Sequence, residues 1–172
     1  MERNLSLLKS SVTSGVILGL VLVIYAVILF IMGLWLNTWL GFANFAFLIG
    51  GTIWAVRTVR AAQGGSITFG QAFFTGFITI IVSSLISTAY NALFYTVINP
   101  DAIEQVIAKS VEMMEGFNVP EEAMEEAIEK IKESTTVSKT IINGLLYSAI
   151  FGAIIALITA AAMKKDKTVT EF

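Results

Sequence analysis

The residues of this chain that could do chemistry are mostly amides and hydroxyls that lie inside long apolar runs. The chain has no histidine and no cysteine. It therefore offers no imidazole base or ligand, and no thiolate nucleophile or cysteine metal site. Carboxylates could still catalyse or bind a metal, but none lies inside an apolar run. We therefore predict no catalytic residue, no metal site and no cofactor, and expect that the protein is not an enzyme.

Three asparagines stand out because an amide without a hydrogen-bond partner is costly in hydrocarbon. Asn44, Asn91 and Asn143 each lie in a different apolar run. At 1.5 Å per residue they fall at similar depths, roughly 7–12 Å inside the ends of the predicted helices. We predict that at least two of them hydrogen-bond one another or Tyr147. Such a network would cross-link the helices, or alternatively form a polar ligand site.

A second polar feature is a stripe of small and hydroxyl-bearing residues in the third predicted helix. The stripe consists of Gly76, Thr79, Ser83, Ser87 and Asn91, at spacings of three and four. It could line a narrow path for a solute, an ion or a lipid. More often such hydroxyls bond to carbonyls of their own or a neighbouring helix, at about 0.6 kcal/mol each in membranes. We favour this packing role.

The elements that position these residues are transmembrane helices. Of 172 residues, 56% are hydrophobic and 14% charged, whereas about a quarter are charged in a typical soluble domain. No charge occurs in residues 10–56, 61–100 or 140–163, and a helix needs roughly 20 apolar residues to cross a bilayer. The sequence predicts one all-α membrane domain over residues 1–172. Its four spans are expected at residues 12–35, 39–56, 72–98 and 138–163.

Residues 100–134, between the third and fourth predicted spans, form an acidic amphipathic segment with a net charge of −7. Asn99, Pro100 and Asp101 suit a helix start, with Asn99 as the cap and Pro100 in the first turn. We predict two helices in a hairpin, which lacks the alternating oxygen ligands of a calcium loop. Its apolar stripe could close on itself, lie on the membrane or bind a partner. The stripe contains Met113, Met114, Phe117, Met124, Ile128 and Ile131.

The distribution of lysine and arginine predicts the orientation. Cations outside the acidic segment cluster near both termini and after the second span: Arg3, Lys9, Arg57, Arg60, Lys164, Lys165 and Lys167. Short basic flanks stay in the cytoplasm. We therefore expect both termini in the cytoplasm and the acidic hairpin outside. Arg57 and Arg60 are candidates for lipid headgroup contacts.

The segment Gly64–Gly70 is rich in glycine, but it lacks the Gly-Lys-Ser/Thr ending of a phosphate-binding loop. We expect an interfacial turn instead, in which the glycines bend the chain. Ile67 and Phe69 would then dip into the headgroup region.

Small residues recur at every fourth position of the last predicted span. This ladder consists of Gly144, Ser148, Gly152, Ala156 and Ala160, and the first span has a shorter ladder of Ser11, Gly15 and Gly19. Small residues let two helix backbones approach closely in lipid. Each ladder could pack inside the monomer, or one of them could face a partner subunit.

Three parts of the sequence together resemble a known family. They are Gly65-Ser66-Ile67-Thr68-Phe69-Gly70-Gln71-Ala72-Phe73, then Asn99-Pro100, and the segment rich in Glu and Met before the last span. The chain resembles small four-span membrane proteins classed as a domain of unknown function, typical of Gram-negative bacteria. The resemblance implies four helices and a bacterial cytoplasmic (inner) membrane location, with the hairpin in the periplasm. It implies no activity.

The sequence indicates a function mainly by excluding other classes of protein. A formal net charge of −2 without a basic patch argues against nucleic-acid binding. We expect a membrane protein that works by assembly, either as a homo-oligomer or as an accessory subunit of a larger membrane complex, with membrane lipids as further partners. The alternative is a small channel or carrier that uses the polar stripe. Apart from Lys139 at the very start of the last one, no charged residue lies within a predicted span, so a proton relay would lack a titratable group in the interior of the bilayer.

Overall fold

The computed structural model describes residues 2–117, 119–134 and 136–165, with side chains for residues 6–117, 119–133 and 136–165. Its helices are α1 (Glu2–Ile31), α2 (Thr38–Ala62), α3 (Phe69–Leu93), α4 (Ala102–Gly116), α5 (Glu121–Ser134) and α6 (Val137–Met163). A π-helical turn, Phe94–Ile98, continues α3. The predicted all-α fold is confirmed.

Four of these segments are long and apolar enough to cross a membrane: Ser6–Ile31, Thr38–Ala62, Phe69–Ile98 and Val137–Met163. Large apolar side chains such as Leu20, Ile24 and Ile158 lie on their exposed surface, while Ser11 and Thr52 are fully buried. This arrangement, with apolar side chains outside and polar side chains inside, is the reverse of that in a water-soluble helical bundle and suits a lipid environment. The chain is therefore a multi-pass membrane protein.

The first span ends earlier than expected because of Gly33. The sequence predicted a helix to Trp35, but α1 ends at Ile31. Gly33 adopts a φ of 68°. Its N–H donates to the Phe30 carbonyl at 3.0 Å, and the Leu34 N–H donates to the Leu29 carbonyl at 2.8 Å. This pair of bonds is a Schellman motif, which glycine enters without steric cost.

The second span ends later than expected. Predicted to stop at Val56, α2 continues to Ala62, because a helix does not need to end where charges begin. Gly64 then repeats the same C-terminal motif, with a φ of 77°. Its N–H donates to the Ala61 carbonyl and that of Gly65 to the Arg60 carbonyl. Arg57 and Arg60 are therefore helical residues and not part of a loop.

A reciprocal cap starts the third span. The Thr68 N–H donates to Gln71 Oε1 at 3.1 Å, and the Gln71 N–H donates to Thr68 Oγ1 at 3.3 Å. This is a capping box, which satisfies two backbone donors that have no partner within the helix. The Thr-x-x-Gln spacing inside the recognised nine-residue motif thus fixes where α3 begins.

The chain divides into two compact units, the first of which comprises Met1–Ser87 and Leu146–Phe172. One buried cluster of this unit contains Leu7, Val56, Val59, Ile67, Ala72 and Ala160. The cluster brings together the start of α1, the end of α2, the start of α3 and the end of α6, which we call the basic end. Successive spans therefore run in alternating directions, as the sequence predicted.

Ile67 does not dip into a headgroup region, contrary to our expectation. Only 1% of its surface is exposed. Its N–H and carbonyl both pair with the backbone of Lys165 at 2.9 Å. The isolated bridge joins the loop before α3 to the end of α6 and draws the side chain into the buried cluster. Phe69, expected beside it, is exposed.

The second unit, Thr88–Leu145, holds the end of α3, the helices α4 and α5, which contact each other, and the start of α6. The start of α4 differs from our prediction, since its N-cap is Asp101 and not Asn99. The Asn99 and Gln105 side chains instead donate to each other at 3.4 and 3.3 Å. Two exposed ion pairs, Lys109–Glu112 and Lys130–Glu126, add little stability. That this segment faces the periplasm stays a prediction.

Replacing Ile67 with alanine should lower the free energy of unfolding by about 2 kcal/mol, because a buried side chain would leave a cavity. Reversible unfolding of the full chain by sodium dodecyl sulfate in mixed micelles measures this change. Phe69→Ala, at the first residue of α3, is the control because the Phe69 side chain is exposed, and its expected change is within about 0.5 kcal/mol. Equal losses for the two variants would contradict the burial of Ile67.

Candidate functional site

The short ladder of α1 lies directly against α3. A Cβ atom added to Gly15 would lie 2.6 Å from Val82 Cβ and 2.8 Å from the Thr79 carbonyl oxygen. One added to Gly19 would lie 2.9 Å from Ile86 Cβ. Both distances are too short for any side chain, so the two glycines set how closely α1 approaches α3.

Hydroxyls bridge this contact. Thr79 Oγ1 donates to the Ser11 carbonyl of α1 at 3.2 Å. Ser11 and Ser83 donate to carbonyls of their own helices, those of Leu7 at 2.8 Å and Ile80 at 2.9 Å. All three hydroxyl-bearing residues are fully buried. In this part of the predicted polar stripe the hydroxyls bond to backbone, as the packing role requires.

The helices α2 and α6 approach α3 in a similar way. A Cβ on Gly76 of α3 would lie 3.0 Å from Thr52 Cγ2 of α2 and 3.3 Å from Ala156 Cβ of α6. One on Gly152 of α6 would lie 2.7 Å from Ile80 Cγ2 of α3. The third span thus contacts α1, α2 and α6 within the first unit, and small residues line these contacts.

The last-span ladder divides into a buried and an open part. Ala156 and Gly152 are buried against α3, and Ser148 is half-buried. A Cβ on Gly144 would meet nothing within 4 Å. Four residues turn an α-helix through about 400°, so every step of the ladder moves about 40° around the axis. From Gly144 to Gly152 the ladder winds through about 80°.

Two buried hydroxyl oxygens, Thr75 Oγ1 and Ser87 Oγ, have no hydrogen-bond partner among the described residues. Each could bind a water molecule. The chemistry available inside the first unit is that of neutral hydroxyls and carbonyls, and no group of carboxylates within the described chain could hold a metal ion.

The amide network stays a prediction. Asn91 and Asn143 are exposed and Asn44 is half-buried. Tyr147 is also exposed. Among the described residues, no hydrogen bond involves any of these four side chains. Arg57 is exposed and Arg60 half-buried at the end of α2.

Sequence reasoning missed the contribution of α2 to the packing. Thr52 is fully buried and donates to the Leu48 carbonyl at 2.6 Å. A Cβ on Gly51 would lie 2.5 Å from Leu18 Cδ1. The signal was present in the sequence, since Gly51, Thr52 and Ala55 are small or hydroxyl-bearing residues at helical spacing within one span.

The chain belongs to the family described as protein of unknown function (DUF4199), whose model matches residues 13–165. This match confirms the resemblance stated above, while the bacterial source stays a prediction. No curated protein matches the chain, and no solved structure matches it.

Gly152→Leu should destabilise the monomer by at least about 2 kcal/mol, because the new side chain would overlap Ile80. Gly144→Leu, in the same helix, should leave the monomer stable because the space beside Gly144 is open. Unfolding of both variants by sodium dodecyl sulfate tests whether position 152 is closely packed in the monomer while position 144 is open. Similar stability of Gly152→Leu and wild type would contradict the close contact.

The two buried threonines of α3 should respond differently to the isosteric change to valine. Thr79→Val removes a hydrogen bond between helices and should cost about 0.6 kcal/mol. Thr75→Val removes a buried hydroxyl without a partner and should be neutral or stabilising. The same unfolding measurement compares them, and a larger loss for Thr75→Val would show that its hydroxyl has a partner, such as a bound water.

Proposed function

We propose that this member of the DUF4199 family is a non-enzymatic membrane protein that works by assembly, with the open part of the α6 ladder as the contact surface for another transmembrane helix. The partner would be a second copy of the chain or a subunit of a larger membrane complex. The observation that carries the proposal is the open space beside Gly144.

The neighbours of Gly144 support a helix contact. Ile142 and Leu146 are exposed apolar side chains, and Asn143 is exposed beside them. A glycine between large side chains gives a partner helix a groove in which to pack. An asparagine amide carries both a donor and an acceptor, so it can hydrogen-bond across such a contact.

The acidic segment between α3 and α6 offers a further surface for a partner. Phe117 is 78% exposed, and Met113 lies exposed one turn before it. Methionine adapts its shape to different partners. We propose that this acidic segment faces the periplasm of a bacterium and that both termini lie in the cytoplasm. The location of Arg60 and Lys165 at the same end of the first unit supports this orientation.

The alternative, a small channel or carrier, draws support from the buried hydroxyls of Thr75 and Ser87, which have no partner among the described residues. The contacts of Gly15 and Gly19 oppose it, because α1 lies too close to α3 there to leave a passage between them. We therefore favour assembly over a channel or carrier function.

The proposal predicts that the full chain associates in lipid and that Gly144→Leu weakens this association at least fivefold. Energy transfer between labelled chains in phosphatidylcholine vesicles, over a series of protein-to-lipid ratios, measures self-association. Co-purification in mild detergent measures assembly with other subunits. Gly41→Leu is the matched control, since Gly41 of α2 is also open.

Three outcomes are informative. Association that Gly144→Leu weakens and Gly41→Leu does not supports the proposed surface. Association that neither variant changes contradicts the role of the ladder. A wild-type chain that stays monomeric at every ratio and purifies without another subunit contradicts assembly itself.

A further inference from the structure

The basic end of the first unit carries an unbalanced charge. The described side chains of this unit include Lys9, Arg57, Arg60, Lys164 and Lys165, and they include no carboxylate. The acidic residues of this unit, Glu2, Asp166 and Glu171, all lie outside the described side chains. The two segments that form this unit contain seven lysines and arginines against three acidic residues, and this net positive charge favours an anionic ligand at this end.

Three of the cations lie at the rim of one buried cluster. Arg60 follows Val56 by one turn of α2, and Lys164 follows Ala160 by one turn of α6. Lys165 pairs through its backbone with Ile67 of the same cluster. We call Arg60, Lys164 and Lys165 the cationic rim.

The other two cations point elsewhere. Arg57 is rotated by about 100° from the buried Val56 and is exposed. Lys9 lies on the outer face of α1, beside the exposed Leu8 and Val12. Both positions suit contact with a membrane surface.

An apolar cleft opens at the same end of the first unit. It is lined by Leu7 of α1 and by Gly70, Gln71 and Phe74 of α3. Leu7 also belongs to the buried cluster at the rim. Gly70 is three residues from Ile67, so its Cα lies within about 11 Å of that residue. A Cβ on Gly70 would meet nothing within 4 Å, so the cleft is open.

We propose that the basic end binds one anionic phospholipid, with the headgroup phosphate at the cationic rim and one acyl chain in the cleft. This arrangement goes beyond the proposed assembly and does not depend on it. A free phosphate ion would use the cations but not the apolar cleft. A phospholipid uses both, and it is present wherever a multi-pass membrane protein resides.

The three charges of the cationic rim determine how strongly the site should prefer an anionic lipid over a zwitterionic one. A lysine or arginine close to the membrane surface strengthens binding of anionic lipid by roughly fivefold. The loss of all three rim cations should therefore weaken retention of an anionic lipid by one to two orders of magnitude. A zwitterionic lipid should be affected far less, because its headgroup carries no net charge.

Native mass spectrometry of the full chain, released from micelles with equal amounts of dioleoyl phosphatidylglycerol and dioleoyl phosphatidylcholine, tests the proposal. The wild-type chain should retain one phosphatidylglycerol in preference to phosphatidylcholine. Arg60→Gln/Lys164→Gln/Lys165→Gln should lower this preference at least tenfold. The matched control is Lys109→Gln/Lys130→Gln/Lys139→Gln, which removes the same charge from residues outside the first unit and should keep it.

A second variant tests the cleft. Gly70→Leu fills the cleft without touching a rim cation, and it should lower retention of phosphatidylglycerol at least fivefold while the helical circular dichroism is unchanged. Inorganic phosphate at millimolar concentration should not displace the lipid.

Equal losses of the lipid preference in the rim and control triple variants would overturn the proposal, because lipid retention would then depend only on the total charge of the protein. Displacement by phosphate would identify a free-anion site. Full retention by Gly70→Leu would exclude the cleft as the acyl-chain site.

Discussion

The structure depends on how closely its transmembrane helices can approach the third span. In lipid there is no hydrophobic gain from moving an apolar side chain from acyl chains to protein, so helices associate through close packing and short polar contacts. Gly15 and Gly19 of α1 and Gly152 of α6 provide this packing, because a Cβ at any of them would lie within 3.0 Å of an α3 side chain.

Close packing also determines what the polar residues of the interior can do. Thr79, Ser11 and Ser83 are buried where the backbones are nearest, and their hydroxyls bond to carbonyls. A hydroxyl that donates to a carbonyl has used its only hydrogen-bond donor, so it cannot also donate to a passing solute. An interior of neutral hydroxyls also has no group that gains or loses a proton near neutral pH. Both properties favour a packing role for the same stripe that, in the sequence alone, could also have lined a path.

The number and type of the helices followed from the sequence, because a helix that crosses a bilayer needs a long apolar run without charges. The ends of the helices did not follow as well, because they depend on hydrogen bonds in the last turn. Gly33 ends α1 through a Schellman motif, and Thr68 starts α3 through a capping box. Both are local signals, and the second was visible as a Thr-x-x-Gln spacing. The pairing of Ile67 with Lys165 joins residues almost one hundred positions apart, and no local pattern indicates it.

The ladder of α6 shows why a sequence pattern alone could not separate internal packing from assembly. A repeat of four residues is slightly longer than one helical turn, so a ladder of small residues winds around the helix and does not stay on one face. Over five members it passes from an internal contact, at Ala160 and Gly152, to open space at Gly144. The two interpretations of the ladder are therefore compatible. One end packs inside the first unit, and the other leaves open space beside Gly144.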